Sequence, residues 1–312
     1  MFDTRRQWRG GVVLAAAIAC VTALTGCSAP SVPTDGKPVV VASMYPFAFL
    51  ASAIAGDAAD VVTLVSPGTE PHDYELTPSQ RGLLSQATLV VYQSGINAAV
   101  DTAVAQAAPE HVVETGSLIT LLLASSDGAD NADEPSNGYA YDPHTWLDPH
   151  NMVTFAGAVA DALAAADPAH AAAYAGNADA LKSQLTSLDA QFSTGLTGCR
   201  HSTFLTTHAA FGYLATAYGL TQLAIAGVTP DDEPSPKRLA ELAAKAQDLG
   251  LTTVFFETLI SPAYADTLAY DLGLRIDVLD PLESVTSASR GADYMEIMAS
   301  NLQALRQANG CP

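Results

Sequence analysis

The sequence predicts an α/β protein with two lobes that contain parallel-type sheets and are joined by one long helix. Short Val-rich runs alternate with Ala- and Leu-rich helical patterns in both halves of the chain, as is typical of parallel strands covered by helices. A long, continuously helical stretch separates the two halves. The length of 312 residues is sufficient for two ordinary domains.

The first half contains the elements of one lobe, expected over residues 38–165. Short apolar runs predict buried strands at 38–43, 60–66 and 89–93, and Ala-, Leu- and Gln-rich stretches predict helices at 47–55, 78–87 and 97–107. Residues 125–141 are rich in Ser, Gly, Asn, Pro and acidic side chains. We expect this stretch to be an exposed, mobile loop.

The linking helix is expected over residues 166–198. Two Asp-Pro pairs, at Asp148 and Asp167, begin two successive helical stretches. The second stretch, 168–195, would be about 40 Å long at 1.5 Å per residue. The remaining lobe, 199–312, has predicted strands at 203–207, 252–257 and 275–279 and predicted helices at 211–218, 235–249, 262–272 and 292–308.

The amino end predicts export and a lipid anchor. Basic residues precede the apolar run 11–24, and the sequence Leu-Thr-Gly-Cys closes the segment at Cys27. This ending resembles the lipobox of bacterial lipoproteins, in which the cysteine receives a lipid and becomes the first mature residue. An anchor helix is the alternative, although the run is shorter than the ~20 residues that span a bilayer. We expect a signal peptide over 1–26, a flexible tether over 27–37, and a location on the outer face of the cell membrane.

The charge of the chain excludes one large class of partners. Thirteen Lys and Arg against 33 Asp and Glu give a net charge of −20. Such a surface repels a phosphate backbone, so nucleic-acid binding is not expected. Contact with the membrane is expected only through the lipid anchor.

Two cysteines remain in the expected mature chain besides the lipid-bearing one. Cys199 follows the long helix and Cys311 lies at the carboxyl end. In an exported protein such a pair is expected to form one disulfide, and two free thiols are the alternative.

Three histidines and one aspartate have the positions expected of ligands. His72 (in PHDYELTPS), His208 (in THAAFGYLA) and Asp280 (in LDPL) follow predicted strands, and His144 (in DPHTWLDP) lies where two prolines and a tryptophan restrict the backbone. Open α/β sheets bind ligands beyond the carboxyl ends of their strands. Two of these residues come from each lobe.

These four segments, in this order and spacing, resemble the ligand-bearing segments of the metal-specific solute-binding lipoproteins of ABC-type importers, in particular the zinc-binding branch. The resemblance covers about residues 38–309. It implies a rigid long helix and a metal held in the cleft between the lobes by His72, His144, His208 and Asp280. Three imidazoles and a carboxylate suit tetrahedral Zn(II). In the manganese branch a carboxylate typically stands in place of His208, so the imidazole here indicates zinc.

Three acidic residues are expected to orient the metal-binding imidazoles. Ligating imidazoles usually donate their second N–H to a carboxylate or a carbonyl. Glu75, Asp148 and Glu257 lie near the ligand motifs or at a strand end, and helix capping or simple solvation is the alternative role of each. Zinc-branch relatives often carry a His-rich loop in the first lobe, whereas the loop 125–141 has no histidine. It is expected to be a solvated insert.

The resemblance implies an extracytoplasmic, monomeric zinc receptor that delivers Zn(II) to the membrane permease of an ABC importer. Zinc could reach it as the free ion or from a metal-delivering chaperone, and the sequence does not choose between these. A manganese or iron receptor of the same family and a surface adhesin on the same fold are the alternatives. Catalysis is not expected. An exported zinc hydrolase is disfavoured because neither HExxH nor Gly-x-Ser-x-Gly is present.

Overall fold

The computed structural model describes residues 36–124, 139–230, 234–259 and 261–312. The predicted signal peptide, the lipobox at Cys27 and most of the loop 125–141 lie outside these residues. The predicted tether lies outside them as well, except for its last two residues.

The first lobe contains a four-stranded, all-parallel sheet with the strand order β2-β1-β3-β4. Its strands are β1 (Val39–Ala42), β2 (Asp60–Thr63), β3 (Leu89–Tyr92) and β4 (Val112–Glu114). The helices that alternate with them are α1 (Tyr45–Ala55), α2 (Pro78–Leu84) and α3 (Ala98–Ala107). Pro78 follows a reciprocal cap between Thr77 and Gln80, which fixes where α2 begins.

The second lobe repeats this topology. Its parallel sheet has the order β6-β5-β7-β8, with β5 (Thr203–Thr206), β6 (Thr221–Ala224), β7 (Thr253–Phe256) and β8 (Arg275–Val278). The helices are α6 (Gly212–Ala217), α7 (Pro236–Asp248), α8 (Ala263–Leu272) and α9 (Tyr294–Asn309). The predicted fold class is confirmed, and the shared strand order is a structural repeat that the sequence pattern does not reveal.

Alternate side chains of each central strand pack on opposite faces of the sheet. In β1, Val39 and Val41 pack against α2 and α3 residues, whereas Val40 and Ala42 face the main core. In the second lobe Leu205 packs on the outer face while Phe204 faces the main core. Burial on both faces explains why these strands are apolar without alternation.

The main core is continuous through both lobes. Helix α4 (Pro149–Ala166) is followed by α5 (Ala171–Gly195), the longest helix among the described residues. One face of α5, including Leu181 and Leu185, is buried in a cluster that also contains Phe47 of the first lobe and Leu302 of the second. The linking helix therefore packs on both lobes and does not stand free between them.

Two strands, β4 and β6, were not predicted, because the first is very short and the second begins with two polar residues. β4 has three residues, of which Val112 is 41% exposed, and β6 begins with an exposed threonine.

A disulfide joins Cys199 and Cys311, whose Cα atoms lie 3.8 Å apart. It links the segment after α5 to the end of α9, as expected of an exported chain with two remaining cysteines.

Among the described residues, none of the helices combines the length and the apolar character needed to cross a membrane.

Candidate metal centre

Four buried side chains from four separate segments converge between the lobes. His72 follows β2, His144 precedes α4, His208 follows β5, and Glu283 follows β8. One donor atom from each lies within 4.8 Å of every other. His144 and His208 are fully buried, and His72 and Glu283 are 6% and 1% exposed.

The separations of Glu283 Oε1 from the three imidazoles, and of His144 from His208, are close to those between the ligands of a tetrahedral metal. Glu283 Oε1 lies 3.2 Å from His144 Nε2 and 3.5 Å from both His72 Nε2 and His208 Nε2. His144 Nε2 and His208 Nε2 are 3.4 Å apart. Ligands about 2.0–2.1 Å from a tetrahedral Zn²⁺ are separated from one another by about 3.3 Å. Within the described part of the chain, Glu283 Oε2 is buried without a hydrogen-bond partner, as expected of an atom that serves a cation.

The loop that carries His72 is fixed by α3 and by the half-buried carboxyl group of Glu70. The side-chain amide of Asn97, which also caps α3, donates to the carbonyls of Pro71 and His72 at 2.9 and 3.0 Å. Glu70 Oε1 accepts from the backbone N–H of His72 at 2.9 Å. Burial and the nearby charge of Glu283 raise the pKa of Glu70 to about 9, and the hydrogen bond from His72 only partly offsets them.

His144 is held by the segment in which it lies. Asp142 Oδ1 accepts from the backbone N–H of His144 at 2.9 Å and lies 2.8 Å from its ring Nδ1. The carbonyl of Pro143 accepts from the buried amide of Gln93 at 2.6 Å. Because Asp142 accepts a hydrogen bond from Nδ1–H, Nε2 is the ring nitrogen of His144 that faces the other three residues.

His208 is held directly beyond β5. Its carbonyl accepts from the amide of Gln222 at 2.8 Å, and its Nδ1 lies 2.5 Å from Glu257 Oε1. The hydroxyl of Thr207 donates to the same oxygen of Glu257. Of the three acidic residues expected to orient imidazoles, Glu257 lies against one of them.

The other two acidic residues are not in contact with the cluster. Asp148 caps α4, where its side chain accepts from the backbone N–H of His150 at 2.8 Å. Glu75 is exposed. The carboxylate that does hold His144, Asp142, was missed, although it lies two residues before the histidine in the same motif.

The structure brings Glu283, and not Asp280, together with the three histidines. Asp280 is buried, but its Oδ1 accepts from the backbone N–H of Leu282 at 2.9 Å and its Oδ2 from the hydroxyl of Thr258 at 3.4 Å. Leu282 has a left-handed backbone with φ of 59°. This turn, closed by Asp280, brings the next residue to the cluster. The sequence prediction stopped at the first acidic residue after β8, whereas the cluster residue is the second.

Within the cluster, the carboxylates and the imidazoles each stabilise the charged form of the other. Burial opposes ionisation of Glu283, but hydrogen bonds from the three imidazoles hold its pKa well below its usual range. Burial also disfavours the cationic form of His208, yet Glu257 and Glu283 raise its pKa well above the usual value. For His144, Asp142 and Glu283 likewise outweigh burial and raise the pKa. Protons and a metal cation therefore compete for the same imidazoles.

A cavity of about 850 Å³ lies beside the cluster. Of the four clustered residues, His72 is the one that lines it, together with Tyr139 and the carboxylates of Asp73, Asp101 and Asp142. Negatively charged walls favour the approach of a cation.

Known proteins are similar in sequence to this chain over most of its length. The zinc-binding lipoprotein AdcA of Streptococcus pneumoniae (strain ATCC BAA-255 / R6) is 34% identical over 296 residues, covering 92% of this chain and 59% of AdcA. The chain thus spans little more than half the length of that relative. The high-affinity zinc uptake system protein ZnuA of Bacillus subtilis (strain 168) is 32% identical over 312 residues, covering 97% of this chain and 98% of ZnuA.

A solved structure shares the fold. The Zn(II)-bound ZnuA-like domain of S. pneumoniae AdcA has a TM-score of 0.74 and 34% sequence identity, over 88% of this chain and 99% of that domain. The sequence profile of the family described as zinc-uptake complex component A, periplasmic, matches residues 40–308. These residues include both sheets except Val39, and all four clustered side chains, and the chain belongs to this family.

Proposed function

We propose that this protein is the extracytoplasmic zinc receptor of an ABC-type importer. His72, His144, His208 and Glu283 capture Zn(II) between the lobes, and the protein delivers the ion to a membrane permease. The observation that carries the proposal is the cluster itself, three imidazole nitrogens and one carboxylate oxygen within 4.8 Å of one another and buried in the core.

The donor set favours zinc over harder ions. Imidazoles suit borderline ions such as Zn²⁺, whereas Mn²⁺ prefers carboxylate and carbonyl oxygens and usually six ligands. Three nitrogens out of four donors therefore support a zinc receptor over a manganese or iron receptor. Relatives named for zinc binding and zinc uptake support the same choice.

The arrangement supports binding rather than catalysis. A catalytic zinc site keeps a position open for water, with three protein ligands, whereas four protein ligands complete a tetrahedral site. Glu283 fills the fourth position in this cluster. The proposal therefore assigns capture and delivery of the ion, with no reaction performed on a substrate.

The proposed location follows from the amino end. Lipid attachment at Cys27 would hold the protein on the outer face of the membrane, with residues 27–37 as a tether, close to the permease. The relative from S. pneumoniae is itself named a lipoprotein. We propose further that the protein acts as a monomer and receives zinc either as the free ion or from a chaperone.

A competition titration tests the zinc assignment. The purified protein is titrated with Zn²⁺ and Mn²⁺ against a chelator of known affinity, and we expect one tightly bound Zn²⁺ per chain and much weaker binding of Mn²⁺. Equal affinities for the two ions would favour the manganese alternative, and the absence of stoichiometric metal would contradict the proposal.

Two matched variants identify the carboxylate ligand. Glu283→Gln removes the charge of the clustered side chain, and we expect it to lower zinc affinity by about 10-fold or more, since changing even a partner of a ligand costs 10–100-fold. Asp280→Asn retains an oxygen that accepts from Leu282, and we expect zinc affinity close to that of the wild type. The reverse order of the two effects would assign the ligand to Asp280.

A further inference from the structure

The ring of His72 has a hydrogen-bond partner that differs in kind from those of the other two histidines. His72 Nδ1 lies 3.2 Å from the hydroxyl oxygen of Tyr139, and the two rings meet edge to face with centroids 5.9 Å apart. The partners of His144 and His208 are the carboxylates of Asp142 and Glu257. At Nδ1, His72 therefore has a neutral phenol as its partner, whereas each of the other two histidines has a carboxylate.

The direction of the hydrogen bonds follows from the second contact of the phenol. The Tyr139 hydroxyl donates to the carbonyl of Ile96 at 3.0 Å. A phenol has one proton to donate, so with that proton on the carbonyl its oxygen accepts from His72 Nδ1–H. A proton on Nδ1 leaves the lone pair on Nε2, which is the atom of His72 that lies 3.5 Å from Glu283 Oε1.

Tyr139 is itself anchored by a short antiparallel ladder. Leu123 pairs with Tyr141, and Ala124 N donates to the carbonyl of Ala140 at 3.2 Å, in the positions that follow Tyr139 directly. On the other side, Ile96 immediately precedes Asn97, whose amide holds the backbone of His72. The backbone and the ring of His72 are thus fixed from the same short segment, the first by Asn97 and the second through Tyr139.

We propose that Tyr139 is a positioning residue for metal capture: its hydroxyl fixes the ring and the tautomer of His72 so that Nε2 faces the other three donors. This inference rests on the proposed function, because it assigns a role within the same site. Tyr139 does not touch the ion in this arrangement and acts only through His72.

Tyr139→Phe tests the role, because it removes the hydroxyl and keeps the ring. We expect zinc affinity to fall by about tenfold, the lower end of the 10–100-fold range for partners of ligating histidines, with faster zinc dissociation. We expect the melting temperature of the metal-free variant to match that of the wild type. Tyr141→Phe is the matched control, since Tyr141 lies two residues away and is 49% exposed. It should bind zinc as the wild type does.

Nuclear magnetic resonance of the ¹⁵N-histidine-labelled protein gives a readout that does not depend on affinity. In the wild type we expect a protonated Nδ1 on His72 with a through-space contact to the Tyr139 ring protons, and in Tyr139→Phe a shifted or exchange-broadened Nδ1 proton. The wild-type spectrum remains a test if the variant folds poorly.

The outcomes separate this inference from the proposed function. Zinc binding by the wild type with unchanged affinity and an unchanged His72 resonance in Tyr139→Phe would overturn the role of Tyr139 alone. A wild type that binds no zinc would overturn the proposed function, while the His72 resonance would still test the hydrogen bond. An equal loss of metal-free stability and of affinity would show a purely structural role and overturn the inference.

Discussion

Buried charge is the dominant property of the centre at the scale of single residues. Glu257 and Glu283 are 2% and 1% exposed, and Asp142 is 5% exposed. Each lies within 3.2 Å of a histidine ring nitrogen. Burial of a carboxylate is costly unless a charge or a hydrogen bond compensates it. In the metal-free protein the imidazoles provide that compensation. A divalent cation would replace the protons on the Nε2 atoms.

The carboxylates behind the imidazoles are expected to tune affinity. Asp142→Asn and Glu257→Gln remove the negative charge that makes His144 and His208 better donors. We expect each to weaken zinc binding by about 10–100-fold, measured by competition with a chelator. Asp148→Asn is the control, since Asn caps a helix as well as Asp does and Asp148 serves α4 rather than the cluster. Unchanged affinity in both test variants would show that the charges of these carboxylates do not contribute to zinc binding.

Sequence alone located part of the centre, for a reason that is visible at individual residues. His72, His144 and His208 could be predicted because each lies in a distinctive motif at or near the end of a strand. Glu283 could not, because its position depends on the left-handed turn at Leu282, which the local sequence does not specify. Tyr139 could not either, because its contact with His72 is made across 67 positions of the chain.

At the scale of elements, a close approach between a loop and a helix fixes one of these carboxylates. Asp142 lies so close to the Cα of Gly212, the first residue of α6, that a Cβ there would collide with Asp142 Oδ2. The backbone N–H of Leu122, which directly precedes Leu123 of the ladder with Tyr141, donates to the hydroxyl of Tyr213 of α6 at 2.9 Å. Helix α6 of the second lobe therefore supports a residue that orients a histidine of the first.

Gly212→Ala tests this dependence. The added methyl group must displace the Asp142 carboxylate, and through it His144, so we expect weaker zinc binding together with lower stability. Gly176→Ala is the control, because a Cβ at that position of α5 meets open space and alanine favours a helix. We expect wild-type affinity in the control, measured by the same competition titration. Wild-type affinity in Gly212→Ala would refute the steric argument.

Elements that were predicted correctly carry strong local signals. The Val-rich strands β1 and β3 are buried, and α2 and α7 each begin at a proline preceded by a capping Thr or Ser. Strands β4 and β6 were missed because β4 has only three residues and β6 begins with two polar ones. The residue boundaries of the lobes, 38–165 and 199–312, stay a prediction.

At the scale of the whole molecule, the disulfide secures the end of the chain. It joins residues 112 positions apart and ties the end of α9, whose buried face packs in the main core, to the start of the second lobe. A crosslink of this span restricts the unfolded chain much more than the folded one.

Removal of the disulfide is expected to lower stability. For Cys199→Ser combined with Cys311→Ser we expect the free energy of unfolding to fall by about 2–5 kcal/mol, as is typical when a native disulfide is lost. Denaturant unfolding of the metal-free protein measures this change, and the reduced wild type is the matched control. Two thiols that react freely in the native, unreduced protein would contradict the pairing.

The order of the four donors along the chain has a consequence for how the protein is made. The histidines belong to segments at residues 72, 144 and 208, and the carboxylate follows the last strand of the second sheet. A growing or truncated chain that ends before β8 has three imidazoles and lacks the fourth donor. If zinc is held as proposed, the complete set of four ligands therefore exists only after the second lobe has been synthesised and folded.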